Sequence, residues 1–168
     1  MSPGDATPKS ASKDVSPELL DIFVGPLLQY LMPVTDAADE CCLIRTVIPT
    51  GVTVPIHSHA DREIFYILSG ELQGMTEGQW RSYHEGDVFD VAGGIRHAIR
   101  NTSGESMTLL LVTTMRLGRF FREVGRPATT APLAPPTPAD MQHFGEVVQR
   151  YGYWMGDSED NAAVGIVA

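Results

Sequence analysis

The chain has 168 residues, of which 43% are hydrophobic and 20% are charged, as in an ordinary globular protein. This length suffices for one well-cored domain and excludes two barrel domains. Twelve Lys and Arg residues stand against 21 Asp and Glu residues, so the net charge is −9. An acidic balance of this kind argues against nucleic acid and against an anionic membrane as partners.

The N-terminal segment is polar, and the chain contains no long apolar run. A membrane span needs about twenty consecutive apolar residues, and a signal peptide needs a hydrophobic core. Neither is predicted, so the expected location is the cytoplasm. Residues 1–15 are rich in Ser, Pro, Ala, Lys and Asp, which predicts a disordered tail.

A short helix is expected next, because Ser16-Pro17-Glu18 combines an N-cap serine, a proline at the first helical position and an acidic first turn. Gly25-Pro26 ends it. Short segments with strand character and turn residues between them then follow, at about 27–32, 40–48, 52–59, 63–69, 71–75, 80–83, 87–91, 96–101 and 107–115. The pattern predicts an all-β fold, a closed antiparallel β-barrel or jelly roll with short flanking helices at both ends.

The C-terminal part has a different pattern. The segment from Leu117 to Val124 is predicted to be helical, and residues 125–138 form a proline-rich linker. Thr137-Pro138 opens a second helix that runs to about Tyr151. An acidic, solvated tail covers Asp157 to Asp160. The expected division is a tail at 1–15, a barrel domain with flanking helices at 16–124, the linker at 125–138, and a helix and acidic tail at 139–168.

Three histidines and one glutamate stand in two blocks that are punctuated by glycines. Residues i and i+2 of a strand point to the same face, so His57 and His59 can chelate one ion together. Glu63 follows after a short connection, and His97 arrives from a different strand. The full blocks are Gly51-x5-His57-x-His59-x3-Glu63-x6-Gly70 and Gly86-x7-Gly94-x2-His97-x3-Asn101.

These blocks resemble the two motifs of the cupin superfamily. The first matches at every defined position, and the second departs only at Ala92, where the family usually has a proline that is not a ligand. The chain therefore resembles a compact single-domain cupin (a monocupin) of the quercetinase-like cupin 2 type. The resemblance implies a cupin barrel, a homodimer, and one divalent ion (Fe, Mn, Ni, Cu or Zn) held by His57, His59, Glu63 and His97.

The donor types agree with that implication. Neutral imidazole and carboxylate suit divalent first-row metals. Four protein ligands on an ion that prefers six leave positions for water, dioxygen or a chelating substrate, as a catalytic site requires. The alternative is a cupin whose histidines are merely hydrogen-bonded parts of a rigid fold.

Residues near the ligands are candidates for a substrate pocket. If Glu63 faces inward, alternation makes Phe65 and Ile67 inward as well, with Ile99 beside His97. On the closing strand the inward set is either Leu109, Leu111 and Thr113 or Leu110, Val112 and Thr114. The polar candidates are Arg45, Gln73, Tyr83 and Arg96, although Arg96 is adjacent to His97 and should point to the opposite face. A largely apolar wall favours an aromatic or otherwise uncharged substrate, although core packing explains the same residues.

The resemblance implies a dioxygenase-type oxidoreductase that acts on a small enolic or aromatic compound. Glu63 would either remain a ligand or detach to act as a general base. The same site also suits a metal-assisted isomerase, decarboxylase or cyclase, or a small-molecule binder without catalysis. Phe120, Phe121 and the last helix either pack outside the barrel, which is the plainer expectation, or cover its mouth. The outward residues Ile64, Tyr66 and Leu68 need cover from a partner subunit or from the terminal helices.

Overall fold

A computed structural model describes residues 18–23, 25–128 and 134–167. The tail predicted at residues 1–15 lies outside the described residues. The described residues form twelve strands and three helices. The strands are β1 Leu19–Asp21, β2 Leu27–Tyr30, β3 Cys41–Ile48, β4 Thr53–Ser58, β5 Glu63–Ser69, β6 Leu72–Thr76, β7 Gln79–Tyr83, β8 Val88–Val91, β9 His97–Arg100, β10 Met107–Thr114, β11 Arg126–Pro127 and β12 Trp154–Met155. The helices are α1 Met115–Val124, α2 Pro138–Tyr151 and α3 Ser158–Ala163.

The strands form two antiparallel sheets that face each other. The first sheet has the order β11-β1-β2-β3-β10-β5-β8, and the second has the order β12-β4-β9-β6-β7. Between β3 and β10 the chain crosses repeatedly from one sheet to the other, with β3, β5, β8 and β10 in the first sheet and β4, β6, β7 and β9 in the second, as in a jelly roll. The all-β jelly roll predicted from the sequence is confirmed, and the strands from β3 to β10 lie within one or two residues of their predicted positions.

The prediction of a short N-terminal helix is wrong for Leu19–Asp21, which the structure describes. Leu19–Asp21 is a strand that pairs with β2 on one side and with β11 on the other. Its Asp21 is fully buried and accepts hydrogen bonds from the Gly25 backbone N–H (3.2 Å) and from Arg126 Nε (3.0 Å). So short a segment gains little as a helix, because nucleation is costly, and sheet pairing decides its conformation.

The C-terminal segments agree with the sequence only in part. The helix α2 begins as predicted, with Thr137 and Asp140 forming a reciprocal capping box. Within the expected linker, Arg126–Pro127 is a strand, and residues 129–133 lie outside the described residues. The acidic stretch from Asp157 to Asp160, predicted as a solvated tail, instead begins the helix α3. Asp157 is the N-cap residue, and Asp160 completes the capping box.

The main core fills the space between the two sheets. Inward positions of β3, β5 and β10 supply its largest buried side chains, which include Ile44, Ile67 and Leu109. Gly74 lets β6 approach this core, since a Cβ at that position would lie 2.6 Å from the Phe89 ring. A second cluster joins α1 to α2 and Tyr153 through Leu117, Phe120 and Val147.

Asn101, the last residue of the second motif, ties the end of β9 to the neighbouring strands. It is fully buried, and its side-chain amide donates to the carbonyls of Ile48 (2.9 Å) and Glu105 (2.8 Å). Its side-chain oxygen accepts from the Ser103 backbone N–H (3.0 Å) and hydroxyl (2.7 Å). Only a group that both donates and accepts can satisfy all four partners.

Replacing Asn101 by Asp should therefore destabilise the fold. A carboxylate cannot donate to the two carbonyls, and leaving a buried group unsatisfied costs about 1–3 kcal/mol. Urea denaturation of Asn101→Asp should show a free energy of unfolding lower by about that amount. The matched amide-to-acid change Gln149→Glu, at an exposed position of α2, should leave it within about 0.5 kcal/mol. Equal effects of the two changes would contradict this role.

Candidate metal centre

The strand register brings the three histidines and the glutamate together. His57 lies in β4 directly opposite His97, the first residue of β9, and their ring centroids are 4.2 Å apart. His59 follows the end of β4, and Glu63 is the first residue of β5 in the other sheet. One ligand atom from each of the four residues lies within 4.8 Å of the others. The cluster therefore bridges the two sheets at one end of the barrel.

All three imidazole rings are oriented by the same kind of hydrogen bond. The Nδ1 atom of each ring lies against a backbone carbonyl two residues away: that of Pro55 for His57 (2.7 Å), Asp61 for His59 (2.9 Å) and Ile95 for His97 (2.9 Å). A carbonyl can only accept, so each Nδ1 carries the hydrogen. The lone pair of each neutral ring is then on Nε2.

These lone pairs converge on a carboxylate. Glu63 Oε2 lies 2.7 Å from His97 Nε2 and 3.2 Å from His59 Nε2, and all three side chains are almost fully buried. Lone pairs and a negative charge at such distances repel one another unless a proton or a cation lies between them. Three neutral nitrogens and one carboxylate oxygen are the donors that divalent first-row metals prefer. The cluster can therefore hold a metal ion.

Without a metal ion, a proton on an imidazole Nε2 takes the place of the cation beside Glu63. Burial, together with the charge of neighbouring His97, lowers the pKa of His57 to about 4. Burial alone would lower the pKa of His59, but the hydrogen bond to Glu63 and its charge outweigh burial and raise it. Burial alone would raise the pKa of Glu63, yet the hydrogen bonds from His59 and His97 hold it well below its usual range. Glu63 is therefore ionised at neutral pH, as a metal ligand must be.

Two glycines fix the loop that precedes His97. Gly94 donates its backbone N–H to the His59 carbonyl (2.7 Å) and has a φ of +84°. A Cβ at Gly93 would lie 2.1 Å from the Ala60 carbonyl oxygen, so only glycine permits this approach. The contact joins the loop before His97 to the loop that carries His59. Ala92, which replaces the usual proline, leaves this contact intact.

The barrel segment of the chain is similar to known proteins. Residues 44–113 match the family model described as the Cupin domain. This segment contains both motifs and all four candidate ligands, and it is similar to cupin domains. A predicted oxalate decarboxylase from Thermotoga maritima is similar in structure, with 27% identity, a TM-score of 0.51, and coverage of 61% of this chain and 95% of that one. An RmlC-like cupin from Shewanella frigidimarina has 20% identity, a TM-score of 0.51, and coverage of 61% and 87%. The search of curated proteins finds no match.

The sequence patterns did not predict a role for Asp61, a buried carboxylate behind the cluster. Asp61 accepts hydrogen bonds from the Tyr153 hydroxyl (2.6 Å), the Thr114 hydroxyl (2.5 Å) and Arg116 Nη1 (3.1 Å). Its own backbone carbonyl orients His59. Asp61 thus links the cupin barrel to α1 and to the segment after α2. Only its position between His59 and Glu63 in the sequence hinted at this role.

A cavity of about 770 Å³ is lined by three of the four candidate ligands, His57, Glu63 and His97. Of the predicted pocket residues, Phe65 and Ile99 line its wall. The inward set on β10 is the one that contains Leu109 and Leu111, since both are buried and line the cavity. Among the described residues that line it, Glu63 is the only one with a formal charge outside the histidines, and no Lys or Arg is present.

Four predicted pocket residues do not line the cavity, and their placement is a correction. Arg45 is exposed on the outer face of β3, because its neighbours Ile44 and Thr46 occupy the inward positions. Gln73 faces away from the core next to Gly74 and accepts a hydrogen bond from Arg100 Nε (2.8 Å). Ile67 is buried in the barrel core, and the half-buried Tyr83 packs against that core with its ring 4.9 Å from that of Phe89.

The C-terminal helices do more than pack outside the barrel. Phe120 is buried between α1 and α2, in agreement with the expectation that it packs outside the barrel. However, Phe121, Met141 and Phe144 line the cavity. The ring of Phe144 meets that of Phe23 edge to face at a centroid distance of 5.0 Å. The helix α2 therefore forms part of the wall at the cavity mouth.

No helix of the described residues is long and apolar enough to cross a membrane.

Replacing Tyr153 by Phe tests the link through Asp61. The change removes one donor from a buried carboxylate, and a hydrogen bond to a charged group contributes about 1.5–3 kcal/mol. The free energy of unfolding of Tyr153→Phe, measured in urea, should fall by about 2 kcal/mol. Tyr66→Phe is the matched control, because Tyr66 is 41% exposed on the outer face of β5. An effect no larger than that of the control would rule out a stabilising bond to Asp61.

Proposed function

We propose that this cupin is a mononuclear metal-dependent oxidoreductase of dioxygenase type that acts on a small enolic or aromatic compound. The observation that carries the proposal is the convergence of one ligand atom from each of the three histidines and from Glu63, within 4.8 Å of one another, beside a cavity of about 770 Å³. A bound iron, manganese, nickel or copper ion would supply Lewis-acid and redox chemistry at positions that the four residues leave open.

The roles of the protein residues follow from their environments. His57, His59 and His97 act as neutral donors whose orientation is fixed by backbone carbonyls. Glu63 supplies the negative charge and is the carboxylate closest to a bound substrate, so it either stays a ligand or accepts the proton of an enol or phenol. Apolar side chains such as Phe65, Ile99 and Leu111 surround the organic part of the substrate and exclude water.

A metal-assisted decarboxylase is the second candidate. It is favoured by the likeness to the predicted oxalate decarboxylase, at 27% identity over 61% of this chain. Oxalate itself suits the cavity poorly. A small dianion calls for cationic side chains, whereas the described lining contains no Lys or Arg. A decarboxylase of this construction would act on a larger monoacid.

The metal content of the purified protein is the first test. Anaerobically purified protein should contain close to one iron, manganese, nickel or copper ion per chain, and His57→Ala/His59→Ala should lose it. The matched control is His84→Ala/His143→Ala, because both of those histidines are exposed. Its metal content should equal that of the wild type.

Oxygen uptake distinguishes the candidate functions. A dioxygenase should consume oxygen with enolic or aromatic substrates, and His59→Ala should abolish the consumption. Carbon dioxide release without oxygen uptake would instead favour the decarboxylase. A metal-loaded protein that binds these compounds and turns none of them over would be a binding protein. Equal metal content in the wild type and in the double histidine variant would refute the metal site.

We also propose that the protein forms a homodimer through the outer face of β5 and β8. Tyr66 and Val88 are register partners there, and they are 41% and 50% exposed, so the C-terminal helices do not cover them. Ile64 and Leu68 lie on the same face and are half-buried. A contiguous apolar sheet face favours association.

Light scattering coupled to size exclusion measures the mass directly. The wild type should have twice the chain mass of 18.3 kDa, and Tyr66→Asp should have the mass of one chain. Gln149→Asp, at an exposed site on α2, is the control that should keep the dimer mass. A wild-type protein with the mass of one chain would contradict the dimer.

A further inference from the structure

Thr46 presents a buried hydroxyl for which the fold has no partner. The residue is 4% exposed, and among the described residues its Oγ1 is the one buried side-chain nitrogen or oxygen without a hydrogen-bond partner. Buried polar groups in native proteins are nearly always paired, so an exception calls for an explanation. The explanation must lie in something that the folded chain alone does not contain.

The fold itself does not require a hydroxyl at this position. Thr46 lies in β3 between the inward and fully buried Ile44 and Ile48. Valine has nearly the shape of threonine, is equally compatible with a strand, and carries no polar atom into the core. A residue chosen only for packing would therefore be valine. Because Thr46 lines the cavity, its hydroxyl is available to a molecule that occupies the cavity, which points to a binding role.

Thr46 faces the same cavity as three of the candidate ligands but lies far from them. It pairs with Leu109 of β10, which in turn pairs with Ile67 of β5, four residues after Glu63. Strand spacing and rise then place the backbone of Thr46 on the order of 15 Å from that of Glu63. Both residues line the cavity. A single six-membered ring is too short to reach from one to the other, whereas two linked or fused rings are of suitable length.

The surroundings of the cavity restrict the ligand further. Between the ligands and Thr46 the wall is built from Phe65, Ile99, Leu109 and Leu111, all of them apolar. The described lining offers no cation to a distal carboxylate or phosphate. A distal group that pairs with a lone hydroxyl in such a wall must be neutral, since an unpaired buried charge is strongly unfavourable.

We propose that Thr46 recognises the neutral distal hydroxyl or carbonyl of an uncharged two-ring ligand whose other end chelates the metal. This inference rests on the proposed metal site and names its ligand class. Thr46 is a specificity residue: it distinguishes ligands that carry the distal oxygen from those that lack it. Sites built to hydrogen-bond a ligand group discriminate strongly against analogues without it.

Two matched probes test the inference, 3,4,4′-trihydroxybiphenyl and 3,4-dihydroxybiphenyl. Both carry a catechol that chelates metal, and only the first has a hydroxyl at the far end. Binding is measured by calorimetry on the Zn²⁺-loaded protein under nitrogen, so that the readout is affinity and not turnover. The wild type should bind the trihydroxy probe about tenfold more tightly, which corresponds to one hydrogen bond of about 1.4 kcal/mol.

Three substitutions test whether the Thr46 hydroxyl causes this preference. Thr46→Val should bind both probes equally, and Thr46→Ser, which keeps the hydroxyl, should retain the preference. Thr108→Val is the matched control, because Thr108 lies on the outward side of β10 and does not line the cavity. Its preference should equal that of the wild type. A Thr46→Val protein that still prefers the trihydroxy probe would overturn the inference.

Thermal stability gives a second readout that needs neither ligand nor metal. Removing an unpaired buried hydroxyl should raise the Tm of metal-free Thr46→Val by about 2–4 °C. A lower Tm would mean that the hydroxyl has a structural partner, and the inference would be overturned. Zinc content, measured on each sample, distinguishes a failure of this inference from a failure of the proposed function. Protein with full zinc but no preference between the probes overturns this inference alone, whereas protein that fails to bind zinc removes the proposed function and the inference with it.

Discussion

The register between β4 and β9 is the constraint on which the site depends. It sets His57 opposite His97, and the loop contact of Gly94 with the His59 carbonyl brings the third ring to the same point. Each ring is then fixed by a backbone carbonyl two residues away, so the donor atoms are oriented by the main chain itself. Such preorganisation is what a metal site requires, because a carboxylate and three lone pairs repel one another before an ion is bound.

Asp61 connects the histidine cluster to the C-terminal half of the chain by hydrogen bonds. Its side chain holds Tyr153, Thr114 and Arg116, while its backbone carbonyl orients His59. The segments that follow the barrel are thereby joined to the ligand cluster through one buried carboxylate. The same segments place Phe144 and Met141 at the cavity mouth. Residues distant in sequence from both motifs thus help to shape the site.

The cavity separates two kinds of chemistry. Three of the candidate ligands, His57, Glu63 and His97, line one part of it. Most of the remaining lining is apolar, with polar side chains at Thr46, Thr50, Thr53 and Asn161. A ligand in such a space would be oriented chiefly by the few polar groups of the lining. The apolar wall contributes affinity through burial and leaves the selection of ligands to a small number of polar atoms.

The sequence by itself determined the jelly roll, the strand positions from β3 to β10, the capping box of α2 and the four candidate ligands that the fold brings together. Each of these depends on local patterns: alternation along strands, turn glycines, cap residues and motif spacing. The expectation that Phe65 and Ile99 face the ligands also follows from alternation, which fixes the face of a residue once one neighbour is known.

Only the tertiary structure decided which faces and segments meet. The strand CCLIRTVI is apolar on both sides, so its pattern could not show that Arg45 faces outward and Thr46 inward. Leu19–Asp21 has a helix-like start signal, yet pairing with β2 and β11 makes it a strand. The role of Asp61 depends on Tyr153, which lies 92 residues away in the chain. Contacts between residues far apart in sequence leave no periodic signal, so these features become visible only when the chain is folded.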